Sequence, residues 1–204
     1  MIRNIVFDMG KVLLDYDPLQ ACLRHAGDPE TAMIVKKAIF DHPDWQGKID
    51  SGLLYEDEYL LDVQDRLETQ ELRELAAAVM SDWWLDSLFP ICGMQQMIEG
   101  LLEKGFRVYV LSNCGYRFRQ FQYKIPCGNQ FSGMLVSAEE KLVKPDPAIF
   151  RRLCDKFGLQ MDECVFVDDL QKNVDGAVAC GMQGYCFADG NVEKLKAFLS
   201  SLNG

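Results

Sequence analysis

Two apolar runs of strand type in this sequence end in carboxylates. Residues 5–7 are followed by Asp8, and far downstream residues 165–167 are followed by Asp168 and Asp169. In an open α/β sheet the ligand site lies just beyond the carboxyl ends of the strands. The carboxylates are therefore predicted to converge, and Asp8 has the chemistry of either a metal ligand or a nucleophile. Taken alone, Asp8 is equally explained as an ordinary polar residue at a strand end.

The adjacent pair Asp168 and Asp169 predicts a cation site. Two neighbouring carboxylates repel each other, which raises the proton affinity of one unless a cation relieves the repulsion. Hard oxygen ligands of this kind favour Mg²⁺. Asn173 follows one helical turn later and belongs to the same segment. An N-cap of the following helix is the alternative explanation, but it accounts for only one of the two carboxylates.

Two further segments carry groups suited to an anion. Ser112 and Asn113 follow a second apolar run, and their hydroxyl and backbone N–H groups can bind an anion, although both residue types are common in loops. Lys144 precedes Pro145-Asp146-Pro147, a stiff segment that holds the lysine just before a helix. A fixed cation suits a phosphate or a charged intermediate. A solvated loop lysine is the alternative.

The elements that must position these residues alternate between strand and helix, which predicts an α/β fold with a doubly wound, parallel, Rossmann-like sheet. Asp146 is predicted to cap a helix whose first residue is Pro147. The strands are predicted at about 2–7, 107–111, 134–137, 165–167 and 184–187, and the other helices at about 91–105, 115–124, 171–180 and 191–201.

Residues 16–88 interrupt this alternation with helical patterns and no convincing strand. We therefore predict a core domain of residues 1–15 and 89–204, and an all-helical insert of residues 16–88. The helical patterns cover about 18–26, 29–40, 54–67 and 70–88, with a loop at 42–52.

Several side chains of the insert are candidates to face a substrate. Asp15, Tyr16 and Asp17 lie where the chain leaves the core, and Trp45 and Lys48 lie in the loop at residues 42–52. Packing within the insert is the simpler explanation for the three tryptophans, which are Trp45, Trp83 and Trp84.

The composition limits the functions to consider. The 204 residues are 49% hydrophobic and 25% charged, as in globular proteins, and the formal net charge is −10 with no basic stripe. This argues against a nucleic acid partner. No apolar run reaches the roughly 20 residues of a membrane helix and the N-terminus does not resemble a signal peptide, so we expect no membrane association and a cytoplasmic location. The eight cysteines form no C-x-x-C pair and are expected as free thiols.

In order and position, the four motifs resemble those of the haloacid dehalogenase-like (HAD) superfamily. The resemblance implies that Asp8 is the nucleophile, that Ser112 binds the phosphate and that Lys144 steadies the charged intermediate. It also implies that Asp168 and Asp169 bind magnesium, with Asp169 as the direct ligand. The helical insert resembles a cap of the C1 type, placed after the first motif.

The implied reaction begins with attack of Asp8 on phosphorus, which forms an aspartyl phosphate that water then hydrolyses. Magnesium would be held by Asp8, Asp169 and the backbone carbonyl of Gly10. Most phosphatases of the family have a second aspartate where this chain has Gly10, and that residue serves as general acid and base. Lys11 is a candidate to fill part of the space that the missing carboxylate leaves.

The size of the rate enhancements indicates that glycine at position 10 need not abolish turnover. General acid–base catalysis contributes about 10²–10⁴-fold, whereas enzymes accelerate phosphomonoester hydrolysis by up to about 10²¹-fold. Some sugar-phosphate phosphatases of the family, including a glucose-1-phosphate phosphatase, are similar in having Asp-x-Gly, Leu-Ser-Asn and a paired Asp.

The sequence thus predicts a magnesium-dependent phosphatase whose partner is a small phosphorylated metabolite, a sugar phosphate first, in a monomer or homodimer. Two alternatives remain open. A metal-independent 2-haloacid dehalogenase would also lack the second aspartate, but it would leave the Asp168-Asp169 pair without a purpose. A catalytically silent module that binds phosphometabolites is favoured by Gly10 and opposed by Asp8, Lys144 and Asp169.

Overall fold

A computed structural model describes residues 1–202 of the chain. Its main sheet has five parallel strands in the order β5-β4-β1-β6-β7, and β2 and β3 form a separate antiparallel pair. The predicted doubly wound α/β fold is confirmed. In chain order the strands are β1 (Asn4–Phe7), β2 (Leu14–Tyr16), β3 (Leu88–Pro90), β4 (Arg107–Ser112), β5 (Gly133–Val136), β6 (Cys164–Asp168) and β7 (Gln183–Cys186).

The central strand β1 fixes the geometry of the site. All four of its residues are buried, as expected for a parallel strand that is covered on both faces. Its last residue, Phe7, lies opposite Val110 of β4 on one side and Val167 of β6 on the other. Because the three strands are parallel and in this register, the side chains that follow them meet at one edge of the sheet.

Eleven helices are present in the described part of the chain. Two begin later than the sequence suggests. The α6 helix starts only after Gly93, whose φ of 86° is not helical. The helix expected at 115–124 is instead one short helix that begins at Phe118 and is followed by a 3₁₀ turn at 122–124. The helices are α1 (Pro18–Ala26), α2 (Pro29–Ile39), α3 (Glu56–Arg66), α4 (Gln70–Asp82), α5 (Trp84–Ser87), α6 (Met94–Glu103), α7 (Phe118–Phe121), α8 (Ser137–Glu140), α9 (Pro147–Phe157), α10 (Gln171–Ala179) and α11 (Val192–Ser201).

The helical insert contains α1 to α5 and is flanked by the β2–β3 ribbon, in which Tyr16 pairs with Leu88. The expectation of no strand in residues 16–88 is wrong at both ends, because strands of three residues are too short to leave a hydrophobic alternation. The ribbon spans both predicted domain boundaries. The segment expected as a loop at 42–52 contains a short π-helix, Trp45–Ile49. The insert is called the cap below.

Local capping places the loop that carries Lys144. Asp146 accepts a hydrogen bond from the Ala148 N–H at 2.8 Å, and Pro147 is the first residue of α9. The predicted cap is therefore confirmed. The α9 helix ends at Gly158, whose φ of 64° is the left-handed conformation that glycine adopts readily.

Two general properties of the chain bear on its chemistry. Among residues 1–202 no helix combines the length and the apolar character that a bilayer crossing requires. All eight cysteines are free thiols, and half of them are buried, namely Cys22, Cys114, Cys154 and Cys164.

Candidate active site

The ammonium of Lys144 is the centre of a buried charge cluster at the edge of the sheet. Its Nζ lies 2.7 Å from Asp8 Oδ1 and 2.7 Å from Asp168 Oδ2, and the lysine side chain is 1% exposed. Burial lowers the pKa of Lys144, but the carboxylates of Asp8 and Asp168 outweigh it, so the net pKa lies above its ordinary value. The lysine is therefore a fixed cation that bridges the first and the last motif.

Asp168 is held in place by its neighbours. Besides Lys144, its carboxylate accepts hydrogen bonds from the Leu170 N–H at 2.9 Å and from Asn173 Nδ2 at 3.0 and 3.1 Å. The N-cap interpretation is thus partly right, since Asp168 does bind a backbone N–H at the start of α10. The carboxylate also accepts a hydrogen bond from Lys144, so Asp168 positions the lysine ammonium.

Asp8, Asp168 and Asp169 form one acidic cluster, in which a carboxylate oxygen of each lies within 4.8 Å of the others. Burial raises the pKa of Asp8 to about 6, against the opposing effect of Lys144. Burial and the adjacent Asp168 also raise the pKa of Asp169. Burial is the larger cause of both shifts, and the neighbouring Asp168 carboxylate adds to it.

This cluster fits a divalent cation. Three carboxylates face one buried ammonium, so a further positive charge is needed to balance them. The available donors are hard carboxylate oxygens, which suit Mg²⁺. Asn173 Oδ1 is also buried there without a hydrogen-bond partner in residues 1–202. We conclude that the residues present fit the ion that the sequence suggests.

Ser112 and Asn113 reach the same edge from β4, but they differ in what they can do. Ser112 is 1% exposed and lines the cavity described below, and within the described residues no hydrogen bond occupies its hydroxyl. The side chain of Asn113 bonds to the backbone of Lys144. The Ser112 hydroxyl is therefore open to an anion, whereas the Asn113 amide serves to position the lysine.

The turn after Asp8 contains one residue in the left-handed backbone conformation. The left-handed residue is Lys11, with φ of 56°, and not Gly10. A Cβ built on Gly10 would meet no atom within 4 Å, so the space beside it is open. The Lys11 ammonium bonds to Asp15 at 2.5 Å at the surface, where both side chains are half exposed. Asp15 thus anchors Lys11, and within residues 1–202 no side chain lies within 4 Å of the Cβ position at Gly10 to take the place of the missing carboxylate.

A cavity of about 680 Å³ opens from this edge towards the cap. Asp8, Ser112 and Lys144 line it. Five aromatic side chains also line it and are called the aromatic wall below, namely Tyr16, Phe40, Trp45, Trp83 and Phe121. The Trp83 ring is at the centre of this wall, since it contacts the other four rings edge to face at centroid distances of 5.5–5.8 Å.

The cap residues proposed from the sequence divide between this wall and other roles. Tyr16, Trp45 and Trp83 line the cavity. Lys48 does not, because its ammonium is paired with Asp44 at 2.9 Å and with Asp62 at 3.5 Å. Asp17 caps α1 through the Leu19 N–H. Trp84 packs against Trp83 behind the wall.

Two cap carboxylates that sequence reasoning missed also line the cavity. Asp50 follows the π-helix, and Glu56 begins α3 and is 4% exposed. Glu56 Oε1 accepts the Arg117 N–H at 3.0 Å. The only signal in the sequence was the turn-forming segment Asp50-Ser51-Gly52, which resembles any polar loop.

The model of the haloacid dehalogenase-like hydrolase family matches residues 2–181 of the chain. This match covers four of the five strands of the main sheet, all but β7, together with the insert and all four motifs. The chain therefore belongs to the haloacid dehalogenase-like hydrolase family.

Curated relatives include several enzymes named for phosphate ester hydrolysis. The chain is 27% identical to flavin mononucleotide hydrolase 1 of Arabidopsis thaliana, over 79% of this chain and 63% of that protein. It is 26% identical to the sesquiterpene phosphatase astK of Aspergillus oryzae, over 92% and 90%. An N-acylneuraminate-9-phosphatase of Rattus norvegicus is 26% identical over 68% and 49%. The chain thus spans less than two thirds of the plant and rat relatives.

Solved structures share the fold at lower identity. A HAD family enzyme from Bacteroides thetaiotaomicron, an alanine mutant in complex with magnesium and inorganic phosphate, matches with a TM-score of 0.70 and 20% identity, over 91% of this chain and 94% of that one. The L-2-haloacid dehalogenase of Xanthobacter autotrophicus matches with a TM-score of 0.66 and 19% identity, over 100% and 84%. These matches establish the shared fold.

Proposed function

We propose that the protein is a magnesium-dependent phosphatase that hydrolyses small phosphomonoesters through an aspartyl phosphate on Asp8. The single observation that carries the proposal is the Lys144 ammonium, 2.7 Å from both Asp8 and Asp168, in a cluster with Asp169 at the end of a cavity. Phosphate-ester names among the relatives support the same reaction class.

In this proposal each residue of the chain has one task. Asp8 Oδ attacks phosphorus, and the bond from phosphorus to the leaving oxygen breaks with its electron pair on that oxygen. The Ser112 hydroxyl donates a hydrogen bond to a phosphoryl oxygen, and the Lys144 ammonium stabilises the negative charge. Water then attacks the aspartyl phosphate and releases inorganic phosphate. Magnesium, held by Asp8, Asp169 and the Gly10 carbonyl, would neutralise phosphoryl charge throughout.

The two alternative functions are less well supported. An L-2-haloacid dehalogenase shares this fold, but an excess of negative charge around Lys144 has no use in displacing a halide. A silent binding module would need an anion pocket without a nucleophile, yet Asp8 is in contact with Lys144 and lines the cavity. Chloride release in chelator would favour the first alternative, and tight binding without turnover would favour the second.

The substrate class remains a proposal with two candidates. The sequence favours a sugar phosphate. The aromatic cap wall supports an ester whose leaving group presents a flat or apolar face, and two relatives are named for flavin mononucleotide and for a sesquiterpene. Two buried groups of the wall, the Tyr16 hydroxyl and Trp83 Nε1, have no hydrogen-bond partner in residues 1–202 and are available to a polar atom of the leaving group.

The test is phosphate release from a panel of sugar phosphates, flavin mononucleotide and prenyl phosphates, with magnesium or with chelator, alongside Asp8→Asn. We expect release that requires magnesium and disappears in the variant. Full activity of Asp8→Asn would overturn the assignment of the nucleophile. A preference for planar or prenyl esters would replace the sugar phosphate as the proposed substrate.

A further inference from the structure

The proposed phosphatase chemistry leaves one proton without a donor. When the ester bond to an alkyl group breaks, the leaving oxygen must be protonated, and a positioned acid supplies about 10²–10⁴-fold in rate. Gly10 has no side chain to do this. A donor must therefore come from another group that lines the cavity.

Most cavity groups with a proton are already engaged or unsuited. Lys11 is paired with Asp15, and Lys144 with two carboxylates. Glu56 accepts the backbone N–H of Arg117. Among the carboxyl groups that line the cavity Asp50 is different, because within residues 1–202 its carboxyl makes no hydrogen bond and no ion pair, although the residue lines the cavity together with Asp8. Its proton is therefore not engaged with another group of the protein.

The backbone of Asp50 is anchored to the strand edge that carries the phosphate-binding residues. The Ser137 hydroxyl donates to the Asp50 carbonyl, and the same Ser137 oxygen accepts the Cys114 N–H at 2.9 Å. Cys114 is two residues beyond Ser112. The cap segment and the catalytic edge are thus joined through one hydroxyl group.

Gly52 brings this cap segment into direct contact with the core. Its φ is +71°, and a Cβ built on it would lie only 2.2 Å from the Ala138 carbonyl oxygen. The Tyr116 hydroxyl also donates to the Gly52 carbonyl at 3.1 Å. The backbone at Asp50 and at Gly52 is therefore fixed against the core, which holds Asp50 in the lining of the cavity, as a catalytic group requires.

We propose that Asp50 is the general acid and base of this enzyme, supplied by the cap in place of the side chain that Gly10 lacks. This inference rests on the proposed phosphatase function. It assigns a catalytic task to the cap, in addition to enclosing the substrate.

The electrostatic surroundings of Asp50 agree with this task. Burial raises the pKa of Asp50 well above its ordinary value, and the carboxylates of Asp8 and Glu56 add to the effect, while Lys144 opposes it. The Tyr16 hydroxyl and the Cys114 thiol also face Asp50 and are neutral in the ordinary pH range, since the pKa of each is raised further by burial. The raised pKa favours the protonated form, which is the form that can donate.

The proton balance closes over one turnover. In the first step the Asp50 carboxyl gives its proton to the leaving oxygen as the phosphorus–oxygen bond breaks, so that an alcohol leaves and Asp50 becomes a carboxylate. In the second step that carboxylate takes a proton from the attacking water as its oxygen bonds to phosphorus and the aspartyl bond breaks. Inorganic phosphate leaves and Asp50 is protonated again.

The test compares two leaving groups in wild-type protein and Asp50→Asn with magnesium. An alkyl phosphate needs protonation of its leaving oxygen, whereas p-nitrophenyl phosphate departs as a stable phenolate. We compare kcat/KM, because it reports the steps up to release of the alcohol and not the later hydrolysis of the aspartyl phosphate that both esters share. We expect kcat/KM for the alkyl ester to fall about 10²–10⁴-fold, and kcat/KM for the p-nitrophenyl ester by less than about 10-fold. Asp65→Asn makes the same change at an exposed position of α3 and serves as the matched control.

A rescue variant distinguishes a catalytic role of Asp50 from a purely structural one. Because the space beside Gly10 is open, Gly10→Asp added to Asp50→Asn should restore much of the alkyl phosphatase activity. Equal losses of kcat/KM for the two esters, or no loss for either, would overturn the role of Asp50 as general acid and leave the phosphatase function intact. Wild-type protein that releases no phosphate from either ester would overturn the proposed function itself, and this inference with it.

Discussion

The side chain of Asn113 forms two hydrogen bonds with the backbone of Lys144. The Lys144 N–H donates to Asn113 Oδ1 at 2.8 Å, and Asn113 Nδ2 donates to the Lys144 carbonyl at 3.1 Å. The two residues are 31 positions apart in sequence, so this pair of bonds ties the β4 edge to the loop before α9. These bonds fix the backbone of Lys144, and thereby the position of the ammonium between Asp8 and Asp168.

Asn113→Ala is therefore expected to impair catalysis by displacing Lys144. Both hydrogen bonds are lost, and a displacement of about 1 Å at a catalytic group can cost about 10²-fold in rate. The measurement is kcat for phosphate release, with Asn129→Ala as control, since Asn129 is exposed. An Asn113→Ala enzyme with wild-type kcat would contradict the positioning role.

Lys144→Met is expected to destabilise the fold as well as to abolish turnover. It leaves Asp8 and Asp168 buried side by side without their cation, and breaking such a buried pair costs about 3–5 kcal/mol. Urea unfolding in chelator measures the loss. Lys141→Met removes an exposed charge from the same loop and should change the free energy of unfolding little. Comparable losses in the two variants would argue against a buried charge cluster.

Asp8→Asn is expected to stabilise the metal-free protein at neutral pH. Burial raises the pKa of Asp8 from 3.8 to about 6, so the native state binds more protons than the unfolded state between these values. The free energy of unfolding therefore falls as pH rises through this window, and the loss persists above pH 6. Asparagine does not ionise, so the variant does not lose this stability. Its free energy of unfolding should therefore exceed that of the wild type by about 1–3 kcal/mol at pH 7.5.

The check on this prediction is urea unfolding of wild-type and Asp8→Asn protein in chelator at several pH values. The advantage of the variant should be present at pH 7.5 and shrink as pH falls towards 4. Added magnesium should stabilise the wild type more than the variant, because the variant has one carboxylate fewer to bind it. A variant that is less stable than wild type at pH 7.5 would refute the sign of the effect.

Gly52→Ala is expected to separate the cap segment from the core. The added methyl group would overlap the Ala138 backbone, and the φ of +71° is strained for alanine. We expect kcat to fall about 10-fold or more, because Asp50 and the aromatic wall move away from Asp8. Gly47→Ala is the matched control, since a Cβ there meets nothing within 4 Å. Equal kinetics in the two variants would show that close docking of the cap is not required.

The sequence by itself determined the core of the site. Asp8, Ser112, Lys144, Asp168 and Asp169 were predicted because each follows a buried strand or precedes a capped helix, and parallel strands bring such positions to one edge. This inference needs only the local pattern and the topology of an α/β sheet. Their assigned roles in binding phosphate and magnesium stay predictions until turnover is measured.

Only the tertiary structure decided what the cap contributes. The link from Ser137 to Asp50 and the contact of Gly52 with Ala138 join residues more than 80 positions apart, and no periodicity in the sequence reports such pairings. The position of Lys48 also could not be predicted from the sequence, because its ammonium forms ion pairs within the cap and does not line the cavity. Whether a polar loop residue faces solvent or a substrate depends on how two separately folded surfaces meet, and that is a property of packing in three dimensions.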